Sequence, residues 1–551
     1  MSGSNPRGFC VEWRSQTAEV SEDIGGLDAL SSLSSLGTLI VSTPAERLRP
    51  LFSPGEFASA MDIAVDLLKA HFEQVLSGQG PVQNWTHPLE KIARAGQRLD
   101  AAPVSPLSRP QRVRELIQEC LQSGQNLHHP HYIGHQVPGP LPLAGVFDAI
   151  GTITNQVMAV YEMGPWATAV ERALIERLGA VIGLPTGQFA GLITSGGSIA
   201  NLTALLTARN VVHGESWRGG VAALPTPPVL FVQQDAHYCI ARSAGILGMG
   251  TNQVIRVGLD DQRRMSLAAL EAELQSHRDR KIPVTAVVAC ACATPIGAFD
   301  PLGEIADLCE KYGVWLHVDA AHGAAAVFSE THRHLVKGLE RADSLICDAH
   351  KMMHVPALCA FVFYKRAAHR FAAFQQDAPY LFDPSAPGMA EYDCGLMTLE
   401  CTKRAAAFGL WGVWSAYGAG VFADLVDATF GLADEVWQYL QDQPDFEAPY
   451  RPQCNIVVFR YVPPGRGDSR LGDDNSAWAK AHATETSDDL NRELRRRLIE
   501  SGEFYVSQTT IEGVAYLRMT IINPLTTLTT VMALLNRIRE TAAELSSGGS
   551  T

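Results

Sequence analysis

Four polar segments of the sequence carry side chains that could do chemistry, and each follows a run of apolar residues. The first is the segment 194–198, Thr-Ser-Gly-Gly-Ser, which leads into a predicted helix over residues 199–210. Its small residues let a ligand approach the backbone closely, and the free N–H groups and dipole of the helix N-terminus favour a phosphate. Taken alone, a glycine-rich turn before a helix is more often only a tight connection.

The other three segments supply an imidazole, a carboxylate and an amine. His237, Asp319 and Lys351 each come shortly after an apolar run that predicts a strand. A buried carboxylate needs a cationic partner, and desolvation lowers the pKa of a lysine among apolar residues, which suits imine formation. Singly, such a histidine is usually structural and such a lysine usually lies on the surface. Together with a phosphate site, these groups are the parts needed to hold pyridoxal phosphate, whose ring nitrogen Asp319 would keep protonated.

The elements that must position these residues alternate between apolar strands and helices from about residue 130 to residue 415. This alternation predicts an α/β layer architecture with a mainly parallel sheet. Ligand sites of such sheets lie at the carboxyl ends of the strands, where the polar segments fall. The predicted strands are residues 229–232, 254–257, 284–290, 314–318, 345–347 and 359–364.

The same patterns divide the chain into four regions. Residues 1–50 are rich in Ser and Gly and are predicted to form a weakly structured extension, and residues 51–128 carry helical patterns. Residues 129–415 form the predicted large cofactor-binding domain. Residues 416–551, which alternate helical and strand patterns, predict a small α+β domain.

Composition narrows the class of protein. The 551 residues contain 44 Lys and Arg against 58 Asp and Glu, and a net charge of −14 disfavours nucleic acid as a partner. The longest apolar stretches, such as residues 356–364, are shorter than the ~20 residues of a membrane-spanning helix. Neither a signal peptide nor a membrane partner is expected, and eleven scattered cysteines suit reduced thiols, so we expect a cytoplasmic enzyme. Histidines within residues 129–135 lack a spaced carboxylate, and no metal site is expected.

The order and spacing of the four segments resemble those of the group II pyridoxal-phosphate amino-acid decarboxylases, which include glutamate, aromatic amino-acid, cysteine-sulfinate and 2,4-diaminobutyrate decarboxylases. The resemblance runs from about His129 to near Arg539. It rests on residues 195–202, 235–237, 317–321 and 348–351. It implies an aspartate-aminotransferase-like fold of type I with a seven-stranded type of sheet, a homodimer, and release of carbon dioxide from an L-amino acid to leave an amine.

The resemblance also implies which residues bind the cofactor. Lys351 binds it covalently, His237 stacks on its ring and has a catalytic role, and Asp319 pairs with the ring nitrogen. The other residues implied are Gly196, Gly197, Ser198, Thr294, Ala321 and His350.

Four further residues are implied in the reaction. Tyr380 resembles the tyrosine of a mobile loop that protonates the substrate carbon after carbon dioxide leaves, and Arg518 resembles the arginine that binds the substrate carboxylate. Gln136 and Glu162 stand where the family builds its substrate pocket and would suit a side chain with an amine or amide. The segment around Glu162 is most similar to diaminobutyrate decarboxylases.

Two departures and two alternatives accompany the resemblance. Residues 401–403 read Cys-Thr-Lys where many members have Cys-Gly-Arg, and Met352 stands where tryptophan is frequent. Another lyase or an aldehyde-forming enzyme on the same fold is the first alternative, because cofactor residues do not determine which bond breaks. Aldehyde-forming relatives tend to have phenylalanine at the position of Tyr380. The second alternative is a non-catalytic regulatory relative, which would need a broken cofactor site.

Overall fold

The structure is a computed structural model that describes residues 43–374, 390–463 and 477–548. The chain divides into two compact units, Met1–Asp62 and Ile63–Thr551. In the first unit, the Thr43 hydroxyl accepts a hydrogen bond from the backbone N–H of Glu46, whose carboxylate accepts one from the N–H of Thr43. This capping box explains why a helix begins at Pro44. The four-region division of the chain remains a prediction.

The first 140 described residues are mainly helical. Several of these helices have proline in their first turn, where the missing N–H costs nothing. The elements are α1 (Pro44–Leu48), α2 (Pro54–Leu76), α3 (Pro88–Asp100), α4 (Arg109–Ser123), α5 (Pro142–Ile153), β1 (Val157–Met158) and α6 (Pro165–Ile182). The helical patterns predicted within residues 51–128 are confirmed, with α2 and α4 as the two longest helices of this range.

The second unit contains a seven-stranded sheet. Its strands are β2 (Ala190–Thr194), β3 (Val229–Gln233), β4 (Val254–Val257), β5 (Val284–Cys290), β6 (Trp315–Asp319), β7 (Ser344–Asp348) and β8 (Ala360–Tyr364), in the spatial order β2-β8-β7-β6-β5-β3-β4. Only β8 runs antiparallel to its neighbours, so the prediction of a mainly parallel sheet is confirmed.

Helices connect these strands and cover the sheet. They are α7 (Gly197–Val212), α8 (Ser216–Gly219), α9 (Cys239–Ile246), α10 (Leu267–Asp279) and α11 (Leu302–Tyr312). Helix α7 packs against β5, β6, β7 and β8, and every one of its residues from 200 to 210 is buried. A helix buried on all sides carries even its polar side chains into the core.

Strand β2 was not predicted, because glycine weakens the strand signal. A Cβ atom at Gly191 would lie 2.8 Å from the carbonyl oxygen of Val362 in the paired strand β8. Glycine therefore permits the close approach of β2 and β8. It also weakens the apolar pattern that would have predicted β2 as a strand.

The C-terminal part forms a second layer of helices on a four-stranded antiparallel sheet. Two elements precede this layer: β9 (Lys403–Arg404), which pairs with β1, and α12 (Phe408–Tyr417), which packs against α5. The elements of the layer are α13 (Gly420–Gln441), β10 (Phe446–Glu447), β11 (Ile456–Tyr461), α14 (Ala477–Ser501), β12 (Ser507–Ile511), β13 (Val514–Thr520) and α15 (Leu528–Gly548). Strand order is β10-β11-β13-β12, and buried residues of this sheet and of α13, α14 and α15 form a hydrophobic core of their own. In the described part of the chain, no helix is both long enough and apolar enough to span a bilayer.

Candidate active site

A cavity of about 360 Å³ lies at the carboxyl ends of the large-sheet strands, beside the N-terminus of α7. This volume falls in the ~300–1,000 Å³ range of ligand pockets. The predicted site residues that line it are Gln136, Gly196, Gly197, Ser198, His237, Thr294, Asp319, Ala321, His350 and Lys351. Four segments distant in sequence therefore meet at one place, as strand-end positions require.

Two predicted residues that the structure describes do not line this cavity. Arg518 lies next to it, because its Nη2 donates a hydrogen bond of 2.9 Å to the carbonyl oxygen of Thr294. Glu162 is exposed in the turn Tyr161–Met163 and is not among the described lining residues. Tyr380 lies outside the described residues.

The glycine-rich turn is shaped for a ligand close to the backbone. Gly196 has a φ of +111°, a conformation that favours glycine. A Cβ atom at Gly197 would lie 2.6 Å from Oδ2 of Asp348, so a larger residue would collide with a buried carboxylate. Among the described residues, no side chain caps the helix that begins at Gly197, which leaves its first turn able to bind an anion such as a phosphate.

Lys351 is paired with a carboxylate that the sequence analysis did not identify. Its Nζ lies 3.2 Å from Oδ2 of Asp348, and that carboxylate is only 2% exposed. Burial lowers the pKa of Lys351, but the negative charges of Asp348 and Asp319 outweigh this effect, and the net pKa lies above the usual lysine value. The expectation of a lowered lysine pKa was wrong, because it counted the apolar neighbours and omitted the two carboxylates.

His237 presents a neutral ring to the cavity. Burial lowers its pKa, and the nearby negative charge of Asp319 opposes this only in part. Its Nδ1 accepts a hydrogen bond of 3.3 Å from the backbone N–H of Cys239. An uncharged imidazole held in this way is suited to stacking on a planar ligand.

Asp319, at the end of β6, is held by two donors. Its Oδ1 accepts a hydrogen bond of 3.2 Å from the N–H of Ala321, and its Oδ2 accepts one of 3.1 Å from Nδ2 of Asn201. Both bonds fix the orientation of the carboxylate. The described residues therefore offer an oriented anion to a cationic ring nitrogen.

Arg518 is a buried cation without an acidic partner among the described residues. Its Nη1 donates to the hydroxyl of Ser507 and to the carbonyl of Gly134, and its Nε atom is buried without a hydrogen-bond partner in the described part of the chain. Burial lowers the pKa of Arg518 to about 10, so the guanidinium stays charged near neutrality. Such a group next to a cavity suits an incoming carboxylate.

Lys403, at the position of the frequent arginine, retains a buried cation. Its Nζ lies 2.6 Å and 2.8 Å from the two carboxylate oxygens of Glu171 and donates to the carbonyl of Ile193 at 2.7 Å. Ile193 belongs to β2, just before the glycine-rich turn. Lys403 thus supports the strand that leads into the proposed phosphate site.

The structure adds residues to the cavity wall that sequence reasoning missed. Asp348 had a usable signal, since it ends an apolar strand as Asp319 does. Cys292 and His322 also line the cavity; His322 follows the same strand end as Asp319 but had been given no role. Asn201 belonged to a motif of the resemblance but had been given no role.

A mainly parallel sheet with a lysine, a carboxylate and an open helix N-terminus at one cavity defines the class of pyridoxal-phosphate enzymes. The family model of the pyridoxal-dependent decarboxylase conserved domain matches residues 109–462. The chain therefore belongs to the pyridoxal-phosphate-dependent decarboxylase family, and it is a carboxy-lyase that uses this cofactor.

Solved structures agree with this membership. Mouse CSAD is 25% identical with a TM-score of 0.79, and the match covers 88% of this chain and 98% of that one. Oryza sativa TDC, solved with PLP and tryptamine, is 22% identical with a TM-score of 0.78 over 90% and 99% of the two chains. Rhodiola rosea 4-hydroxyphenylacetaldehyde synthase is 19% identical with a TM-score of 0.74 over 90% and 99%. The last two establish the shared fold alone.

Proposed function

We propose that this enzyme removes the carboxylate from the α-carbon of an L-amino acid, releasing carbon dioxide and leaving the primary amine. When bound, pyridoxal phosphate supplies the electron sink for the bond that breaks. The observation that carries the proposal is the single cavity in which Lys351 and Asp319 face the uncapped N-terminus of α7. The particular amino acid is outside the proposal.

The residues of the cavity fit the cofactor group by group. The backbone of Gly196, Gly197 and Ser198 would hold the phosphate, because the N-terminus of α7 has no side-chain cap among the described residues. Asp319 would hold the ring nitrogen, and Lys351 would bind the aldehyde. His237 would lie against the ring, with Thr294, Ala321 and His350 at its edges.

The substrate side of the site is proposed to use Arg518 and Gln136. Arg518 is charged, unpaired with an acid in the described chain and in contact with Thr294 of the cavity wall. A planar guanidinium binds a carboxylate by two parallel hydrogen bonds. Gln136 lines the cavity and has an amide that could contact a polar substrate side chain. The assignment of Glu162 to the substrate stays a prediction.

Tyr380→Phe is expected to reduce amine formation by about 10²- to 10⁴-fold, the usual contribution of a general acid. Cofactor binding should survive, because Lys351, Asp319 and His237 are unchanged. Without its acid, the substrate carbon can react with oxygen and water to give aldehyde, ammonia and hydrogen peroxide. Carbon dioxide, amine and peroxide should be assayed together in this variant.

Tyr417→Phe is the matched control for this substitution, because Tyr417 is exposed and does not line the cavity. Unchanged amine yield without peroxide in Tyr380→Phe would show that Tyr380 is not the acid. Aldehyde and peroxide from the unmodified enzyme would favour the aldehyde-forming alternative, which the shared fold with an aldehyde synthase keeps open.

We also propose that the enzyme is a homodimer. Val146, Ile150 and Ile153 follow helical spacing on α5 and are 56%, 49% and 51% exposed, and Trp166 at the start of α6 is 60% exposed. Apolar faces of this kind are commonly covered by a partner chain. Ile150→Glu should shift the sedimentation coefficient toward the monomer and lower activity with it. Leu525→Glu, at another exposed position, should do neither. A fully active monomer would contradict the proposal.

A further inference from the structure

We propose that His317, Ser344 and Trp315 are positioning residues for the cofactor site, because a buried chain of hydrogen bonds through Asn201 connects them to Asp319. The inference rests on the proposed role of Asp319 as the partner of the cofactor's ring nitrogen. It assigns a function to side chains that do not reach the cavity.

The chain of hydrogen bonds is continuous. The Trp315 indole Nε1 donates to the Ser344 hydroxyl over 2.9 Å, and that hydroxyl lies 2.9 Å from Nδ1 of His317. Nε2 of His317 lies 2.8 Å from Oδ1 of Asn201, whose Nδ2 donates to Oδ2 of Asp319 over 3.1 Å. Three adjacent elements, β6, β7 and α7, therefore hold one carboxylate.

The hydrogens of the chain can point only one way. A carboxylate only accepts, so Asn201 must direct its NH₂ group at Asp319 and its oxygen at His317. The second hydrogen of this NH₂ group is directed at Sγ of Cys239, 3.3 Å away. His317 must then carry its hydrogen on Nε2 and accept on Nδ1 from Ser344. Ser344 in turn accepts from Trp315, whose indole can only donate.

Burial favours this one arrangement of the hydrogens. His317 and Ser344 have no measurable exposure, Asn201 is 1% exposed and Trp315 is 6% exposed, so water does not compete for these bonds. Burial lowers the pKa of His317 to about 4, which keeps the ring neutral with a single hydrogen to place. The indole of Trp315 can only donate and the carboxylate of Asp319 can only accept. The amide of Asn201 between them therefore has one favourable orientation.

Of the five residues in this chain of hydrogen bonds, only Asn201 and Asp319 reach the cofactor site. Asn201 and Asp319 line the cavity, whereas the described lining residues do not include His317, Ser344 or Trp315. If His317 lost its donor, the oxygen of Asn201 would be buried without a partner, and the amide could turn that oxygen towards Asp319. Repulsion between two oxygens would then replace a hydrogen bond at the carboxylate that faces the ring nitrogen.

The test compares His317→Leu with His317→Gln. The dissociation constant for pyridoxal phosphate is measured by equilibrium dialysis, and the melting temperature of the cofactor-free protein is measured separately. His317→Leu should bind the cofactor about 10- to 100-fold more weakly, the effect of losing a hydrogen bond to a charged group. His317→Gln should restore most of the affinity, because its side-chain N–H can donate to Asn201.

Two further variants keep the test decisive. Ser344→Ala removes only a hydroxyl and frees His317 to move its hydrogen, so it should also weaken cofactor binding. This variant replaces His317→Leu in the test if His317→Leu does not fold. Tyr364→Phe is the matched control: it removes a buried hydrogen bond of 2.9 Å to Thr207 of α7 that is not connected to Asp319. It should lower the melting temperature without a change in cofactor affinity.

The inference is overturned if His317→Leu and Ser344→Ala lower only the melting temperature, as the control does, or if His317→Gln binds as weakly as His317→Leu. Asp319→Asn is measured beside them, so that a failure of the hydrogen-bonded chain can be distinguished from a failure of the proposed role of Asp319. Weak binding in Asp319→Asn with normal binding in the His317 and Ser344 variants would reject the positioning chain and leave the role of Asp319 intact. Normal binding in Asp319→Asn would reject that role and the inference with it.

Discussion

Lys351→Ala is expected to abolish covalent attachment of the cofactor and to lower amine formation by about 10⁴- to 10⁶-fold, the range seen when a group that acts covalently is removed. Lys351 is the one lysine among the described residues that line the cavity, so no neighbouring amine there can replace it. Borohydride reduction of the loaded enzyme, followed by peptide mapping, should place the cofactor on the peptide that contains Lys351.

Two variants control for the loss of a side chain and of a charge. Lys365→Ala removes a half-buried lysine whose Nζ contacts only the carbonyl of Arg341 among the described residues, and it should leave cofactor attachment unchanged. Lys351→Arg keeps a cation beside Asp348 but cannot attach the aldehyde. A reduced adduct on any other peptide, or substantial activity in Lys351→Ala, would contradict the assignment.

Asp319→Asn is expected to weaken cofactor binding and to lower turnover by several orders of magnitude. The breaking of a buried ion pair costs about 3–5 kcal/mol, and a ring nitrogen without a carboxylate partner loses its proton. The amide oxygen can still accept from Asn201, but the amide NH₂ group cannot accept from the N–H of Ala321, so the melting temperature of the variant is measured as well. Equilibrium dialysis and steady-state kinetics measure the two effects separately.

Asp343→Asn is the matched control, since it changes a carboxylate that contacts the opposite end of the same strand. Oδ2 of Asp343 accepts a hydrogen bond of 2.9 Å from the N–H of Leu316, and an amide oxygen can replace it. Affinity and turnover should stay near normal in this variant. If Asp319→Asn behaved like Asp343→Asn, the partner of the ring nitrogen would have to be sought elsewhere.

The sequence predicted the large sheet well because parallel strands buried on both faces are continuous apolar runs. The predicted strand 284–290 coincides with β5, and the strand 345–347 is the centre of β7. Strand β12 was missed because it alternates exposed polar residues with buried ends, a pattern that also fits a loop. Local pattern therefore identified the buried strands and failed where a strand is half exposed.

The site was predictable to the extent that its residues follow strand ends. That rule brought Asp319 and Lys351 to the same cavity. The position of strand ends does not show which charges face each other. The predicted direction of the pKa shift of Lys351 was therefore wrong, because it did not include the carboxylate of Asp348 beside the amine. Nor could that rule find the contact between Asn201 and His317, which are 116 positions apart in the chain.

Arg518 belongs to β13 of the small sheet, whereas Thr294, which accepts its hydrogen bond, follows β5 of the large sheet. Most buried residues of each sheet pack in a cluster of their own, and a smaller cluster joins Ile296 and Ala298, which follow β5, to Val458 of the small sheet. A substrate that extends from the cofactor beside Lys351 to Arg518 would therefore contact groups carried by both sheets. Bound substrate would hold the two sheets together. We therefore expect substrate binding to make local opening of the C-terminal layer less favourable, in addition to stabilising the site itself.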